Sequence, residues 1–190
     1  MHAKPSIAVL GGTGDLGSGL AHLPGAAGYP VWIASRAKDN AEAFALNLGA
    51  KLSVELRGDS NRGAAQAADI VTLCVPYSNH DVILDDVKPA MDGTILVDAV
   101  VPLVPPKVSV MQLPANGSPA QVAQPVPGPG ASVTAAFHYV GAKKHRGEKA
   151  DCDVLVFADD VSALERVIGR PCLRSIADGI STRIAATDGA

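Results

Sequence analysis

Short apolar runs of strand length alternate along this chain with segments whose apolar residues recur at helical spacing. That alternation is the pattern of a parallel sheet with crossover helices. SIAVL at residues 6–10 and VWIAS at 31–35 predict the first two strands, with a helix starting near Asp15 between them. NAEAFALNL at 40–48 predicts a second helix, followed by a third strand at about 52–56 and a short helix over 62–67. DIVTLCV at 69–75 is continuous and β-branched, as a strand buried on both faces should be, and TILVD at 94–98 is another. A helix over 80–88 joins them. Five strands in β-α alternation predict an α/β fold, a Rossmann-like doubly wound, mostly parallel sheet. Pro24 and Gly25 fall where the first helix would continue, and an interior proline costs about 3 kcal/mol, so that helix is expected to be short or kinked.

The texture changes after Asp98, where Pro102, Pro105, Pro106, Pro114, Pro119, Pro125, Pro127 and Pro129 break up any long element. A proline-rich loop with one helical turn at 118–124 is expected. Two further strands follow, at 132–137 and 153–158, with the polar stretch GAKKHRGEK at 141–149 as a solvated loop between them. DDVSALERVIG then predicts a helix capped by Asp159 or Asp160, with Leu164, Val167 and Ile168 as its apolar stripe. From Ile176 on the chain reads as frayed and polar. The expected division is a nucleotide-binding domain over 1–140 and a small C-terminal segment over 141–190 packing on the same sheet.

The first chemistry lies in GGTGDLG, which directly follows the apolar IAVL and opens a helix. GxGxxG is weak alone; between a strand and a helix it is the setting for dinucleotide binding. Gly12 would make the tight turn, Gly14 would admit the pyrophosphate to the backbone, and Gly17 would let helix and strand pack closely. Phosphate would then meet free N–H groups and the positive end of the helix dipole, with Thr13 adding a hydroxyl.

About 20 residues further on, NAD-binding domains place an acid at the end of the second strand. Here Ala34 is followed by Ser35, Arg36, Ala37 and Lys38. A hydroxyl and two cations match the oxygens of a 2′-phosphate, so the nucleotide expected is NADP(H).

Net charge and cysteines narrow the rest. A net charge of -3, with Lys and Arg scattered, gives no footprint for nucleic acid. No run approaches the roughly 20 apolar residues of a membrane span, and MHAKPS leads straight into a strand, so a cytoplasmic protein is expected. Cys74, Cys152 and Cys172 lack metal-ligand spacing and read as buried free thiols. His80 and His145 read as surface residues or caps, and Asp98, at a strand end, as a weaker candidate for the cleft.

GGTGDLG followed by ASRAKDNA resembles the deazaflavin-dependent NADP reductases, the NADPH:coenzyme F420 oxidoreductases. The likeness continues through Val75, Pro76 and Tyr77, LVDAVVPLVP, AFHYVGA and DVLVFADD, in the family's order from Ile7 to Gly169. It implies a Rossmann domain with a small C-terminal appendage and hydride transfer between NADPH and coenzyme F420. By motif, Thr13, Gly14, Asp15 and Leu16 would line the pyrophosphate side and Ser35 and Arg36 would take the 2′-phosphate. Pro76 and Tyr77 would border the cleft, and His138 would lie beside the deazaflavin, a structural role being its other reading. Direct hydride transfer asks the protein to hold two rings face to face and exclude water, which fits the lack of a nucleophile or acid-base cluster.

Two departures stand out. The family's second cation past the SR pair is Asn40 here, with Lys38 as substitute, and ADGISTRIAATDGA matches poorly the family segment that leads into its dimer-forming helices. A homodimer is therefore left open. So are two other functions: a Rossmann reductase acting on a small imine or carbonyl, with Tyr77, His138 or Lys143 as proton donor, and a non-catalytic NADP(H)-binding protein.

Overall fold

The computed structural model describes residues 4–106, 110–128, 130–139 and 154–168, which build one seven-stranded sheet. β1 (Ile7–Leu10), β2 (Val31–Ser35), β3 (Arg57–Ser60), β4 (Ile70–Leu73), β5 (Ile95–Asp98) and β6 (Ser132–Ala136) are parallel, and β7 (Val156–Ala158) runs antiparallel to β6. The order is β3-β2-β1-β4-β5-β6-β7. The chain winds outward from β1 to β3, then returns to place β4 on the other side of β1. This is the switch point of a doubly wound sheet, where a crevice opens beyond the carboxyl ends of the strands. The α/β Rossmann-like fold expected from the apolar pattern is the fold observed.

The helices are α1 (Asp15–Ala26), α2 (Lys38–Leu52), α3 (Asn61–Gln66), α4 (His80–Val87), α5 (Pro119–Ala123) and α6 (Val161–Ile168). Alternate strand residues feed two cores. Ile7, Val9, Val31, Ile33, Ile95 and Val97 face α1, α2 and α6, while Ala8, Leu10, Ala34, Val71, Leu73 and Leu96 face α3, α4 and α5. Ala34, Leu10, Leu73, Asp98 and Ala135 lie side by side in one row across β2, β1, β4, β5 and β6. Asp98 therefore points into the second core, toward α4.

Two expectations are corrected. The first helix is not short: it runs through Pro24 to Ala26, and Pro24, which cannot donate to Leu20 O, forfeits a single backbone bond. The end is closed by Ala27 N to Leu23 O and Tyr29 N to Pro24 O at 3.1 and 3.0 Å. Gly25 leaves room there for Leu56, which a Cβ would meet at 3.1 Å. The third strand is Arg57–Ser60, not 52–56. α2 continues to Leu52 and ends at Ser53 in the left-handed region, with φ 56°. Val54 and Leu56 then pack beneath Gly25 and Gly49, and the strand that follows is an edge strand, paired only with β2, so it tolerates RGDS. Gly58 is dictated by packing: a Cβ there would stand 2.2 Å from Glu42 N, so α2 lies flush on β3.

The helical turn near Ser118 is α5, opened by a capping box in which Ser118 and Gln121 bond reciprocally. Asp160 caps α6 through Ser162 N at 2.9 Å. The 141–149 loop, Cys152, Cys172, Lys143, His145 and the ADGISTRIAATDGA segment lie outside the described residues. Among the described residues no helix is long and apolar enough to cross a membrane.

Candidate active site

The glycine loop follows β1, at the carboxyl end of the sheet where the strand order reverses. Gly11 turns the chain out of β1 at φ 77°, and a Cβ on it would lie 2.4 Å from Cys74 O, so the loop rests against the end of β4. Gly12 was expected to make the tight turn; the residue in the left-handed region is its neighbour Gly11. Gly12 is buried instead, where a Cβ would meet Val9 O at 2.8 Å and Ile33 at 3.1 Å. A Cβ on Gly17 would stand 2.4 Å from Gly11 O, so its hydrogen is what lets α1 close on the loop.

Gly14 differs from these three. It is exposed, and a Cβ there would touch only Gly11 O, at 3.3 Å. It is also the N-cap of α1, extended at φ −81° and ψ 173°, and no side chain caps the helix. The space over Gly14 is open beside a helix N-terminus, a setting that favours an anion. Thr13 and Asp15 are exposed around it, whereas Leu16 packs against the core.

One strand away, Ser35 ends β2, half-buried, with its Oγ accepting weakly from Ala37 N at 3.5 Å. Arg36 is exposed and makes no ion pair among the described residues. Lys38 is shared between Glu42 Oε1 at 3.7 Å and Asp59 Oδ1 at 3.5 Å. Arg36 is therefore the cation of the pair left uncommitted. Asn40 is exposed near the start of α2.

Across the switch point, Pro76 is exposed and Tyr77 half-buried, in a 3₁₀ turn, Tyr77–Asn79, that leads into α4. His138 is half-buried just past β6, after Phe137, which stands in the left-handed region at φ 69°. The structure thus brings the candidates among the described residues to the carboxyl edge of the sheet. From β2 to β6 is four strand spacings, about 19 Å.

The sequence offered Asp98 only as a weaker candidate for the cleft and missed its partner His80; Asp98 is fully buried and turned toward α4. His80 is fully buried, not a surface residue, because it heads the apolar stripe of α4 with Ile83, Leu84 and Val87. Its Nε2 lies 2.9 Å from Oδ2 of Asp98, also fully buried, and its Nδ1 lies 2.8 Å from Oδ1 of Asp81, which is 75% exposed. Asp98 Oδ1 accepts from Val100 N at 2.8 Å. The signal was available: an acid closing the apolar TILVD and followed by AVV needs a buried partner, and His80 has the i, i+3, i+4, i+7 spacing of a core position.

Asp98 is the charge felt in common by His80, His138 and Cys74, on each of which burial is the largest single influence. Burial is the largest influence on the His80 imidazole and pushes it toward neutrality, but the hydrogen bonds and charges of Asp98 and Asp81 outweigh it and raise its pKa above 6.5. Burial lowers the pKa of His138 below 6.5, opposed by the Asp98 charge, so its neutral form is favoured. Burial and the same charge push the Cys74 thiol well up, which leaves it protonated. No group of three metal-ligating side chains occurs among the described residues.

Residues 6–102 match the profile of a family described as NADP oxidoreductase, coenzyme F420-dependent. The F420-dependent NADP reductase of Methanothermobacter thermautotrophicus is 34% identical over 168 residues, covering 84% of this chain and 72% of that protein. This chain belongs to that family. The F420-dependent NADP reductase of Methanocaldococcus jannaschii is likewise 34% identical over 172 residues, covering 85% of this chain and 76% of that protein. Solved structures agree on the fold. A candidate F420-dependent NADP reductase from Arthrobacter sp. FB24 superposes with a TM-score of 0.76 at 22% identity, over 95% of this chain and 84% of that one. A pyrroline-5-carboxylate reductase from Coxiella burnetii gives 0.62 at 13% identity, over 99% and 60%. As a member of the F420-dependent NADP oxidoreductases, the chain has its glycine loop, Ser35, Arg36, Pro76 and Tyr77 all within the segment that carries the family match.

Proposed function

We propose that this chain is an oxidoreductase that transfers a hydride between NADP(H) and the deazaflavin coenzyme F420. The observation that carries the reading is the open space over Gly14 at the N-terminus of α1, one strand from an uncommitted Arg36. NADP(H) fits these residues: the cradle takes a pyrophosphate, and the arginine fork with the Ser35 hydroxyl takes a 2′-phosphate. When bound, the nicotinamide and the deazaflavin supply the hydride donor and acceptor.

The protein's own part is positioning. Gly12 and Gly17 fix the loop, and Gly14, Thr13, Asp15 and Leu16 place the backbone of the first turn of α1 at the phosphates. Lys38 adds charge near the 2′-phosphate while shared with its two carboxylates. Pro76 and Tyr77 border the cleft past the switch point. His138 flanks the deazaflavin, its neutral imidazole available for a hydrogen bond to the ring. Holding the two rings in contact and away from water supplies most of what hydride transfer needs.

The nucleotide-binding domain over 1–140, the C-terminal segment over 141–190, cytoplasmic residence and a homodimer belong to the same proposal; sedimentation of the purified chain reads the last directly. Mixing the purified protein with NADPH and oxidised F420 tests the function. The visible absorbance of the deazaflavin should fall with enzyme-dependent kinetics. Binding of NADPH with no change in that absorbance would leave only a nucleotide-binding protein, and NADPH consumption with a small imine or carbonyl alone would favour that other reductase class.

A further inference from the structure

The bond chain Asp81, His80, Asp98 runs from solvent to the end of β5, and the hydride-transfer reading does not use it. Asp98 closes the strand beside β4, so it lies past the switch point, on the side of the crevice away from Ser35 and Arg36. A dinucleotide laid across that crevice with its 2′-phosphate at Arg36 places its nicotinamide half on the Asp98 side. The Asp98 charge reaches both Cys74 and His138, the residues on either side of it at this edge.

Resting on the cofactor assignment above, we propose that His80 is a positioning residue whose imidazole sets the net charge beneath the nicotinamide, and so sets how tightly the cleft holds NADP⁺ relative to NADPH. Two carboxylates share one imidazole. With both ring nitrogens protonated, the Asp81, His80, Asp98 set carries one net negative charge; with one proton lost it carries two. Asp81 is 75% exposed and can turn to water, whereas Asp98 is sealed in the core. The proton therefore leaves from Nδ1, and Nε2 keeps donating to Asp98. The charge changes while the buried bond and the Asp98 clasp on Val100 N stay in place.

The oxidised nicotinamide is cationic and the reduced one neutral, so added negative charge favours NADP⁺. As pH rises through the His80 titration, NADP⁺ gains on NADPH. By reciprocity His80 loses its proton at lower pH with NADP⁺ bound than with NADPH. The other charged groups around His80 do not supply this change. Cys74, just past β4, stays protonated, and His138 past β6 changes charge on the acid side of 6.5. Tyr77 borders the ring at 6.2 Å between centroids, Asp85 is exposed on α4, and Asp86 is paired with Arg62 of α3 at 3.3 Å. α5 brings no charged residue. The 2′-phosphate titrates equally in both nucleotides and cancels in their ratio.

The test is to titrate NADP⁺ and NADPH into the purified protein from about pH 6 to about pH 9 and follow the ratio of their Kd values. The ratio Kd(NADP⁺)/Kd(NADPH) should fall roughly three- to tenfold across the His80 titration. Asp81→Asn, a change at an exposed side chain, should move the fall to lower pH, and His80→Gln should abolish it. Imidazole NMR of the protein in each complex should show His80 titrating lower with NADP⁺. A pH-independent ratio in the unaltered protein, or a fall that persists unchanged in His80→Gln, would overturn the inference while leaving NADP(H) binding intact. Failure of either nucleotide to bind at any pH would overturn the cofactor reading and the inference with it.

Discussion

The carbonyl oxygen of Gly11 lies 2.4 Å from where a Cβ on Gly17 would stand, and 3.3 Å from a Cβ on Gly14. The same oxygen thus separates a glycine the fold requires from one it does not. Gly17→Ala should force α1 away from the loop and destabilise the protein by about 1–3 kcal/mol, the range for overpacking a tight site. Gly14→Ala should leave the unfolding midpoint nearly unchanged and weaken NADP(H) severalfold. Urea unfolding and nucleotide titration of both variants check this; an equal stability loss in both would remove Gly14 from the ligand side of the ledger.

Arg36 and Lys38 make a second pair of contrasts. Arg36→Ala should weaken NADPH binding by roughly 1.5–3 kcal/mol and leave NADH almost unaffected, because the 2′-phosphate loses its charge-assisted partner. Lys38→Ala should cost less, since Lys38 divides its charge between Glu42 and Asp59. Equal losses for the two nucleotides on replacing Arg36 would contradict its placement at the 2′-phosphate.

Burial of both His80 and Asp98 makes their bond costly to break from one side. His80→Ala should destabilise the protein by about 3–5 kcal/mol, since it strands a carboxylate in the core. His80→Gln, which can still donate to Asp98, should cost less. Denaturant midpoints report both; indistinguishable losses would mean that the bond to Asp98 does not matter.

Two histidines give opposite pH dependences. His80 has a raised folded pKa, so its contribution is complete below about 6.5 and is lost as pH rises through the folded value. His138 has a lowered one, so its contribution is present above about 6.5 and is lost as pH falls through its folded value. Each slope is at most about 1.4 kcal/mol per pH unit. Unfolding free energies measured across this range should decline on both sides, with the alkaline decline missing in His80→Gln. An alkaline decline unaltered in that variant would assign it to another group.

The doubly wound sheet was legible because buried parallel strands leave continuous apolar runs, and the glycine loop because it sits between one such strand and a helix. β3 was misplaced for the opposite reason. As an edge strand it needs little apolar character, so the apolar Val54 and Leu56, which serve helix packing, drew the boundary to themselves. The left-handed turn at Gly11 was hidden by a motif that starts its count one residue later. His80 and Asp98 were legible only as a pair: each has an ordinary reading by itself, and the register that places Asp98 beside Leu73, facing α4, is a tertiary fact.

Direct hydride transfer between the two cofactors is tested most directly by isotope transfer. NADPH carrying deuterium at the transferable C4 position should hand that label to C5 of the deazaflavin, in stoichiometric amount and without exchange with water. Reduced deazaflavin carrying solvent hydrogen at C5 instead, or no reduced deazaflavin while NADPH is bound, would contradict the account.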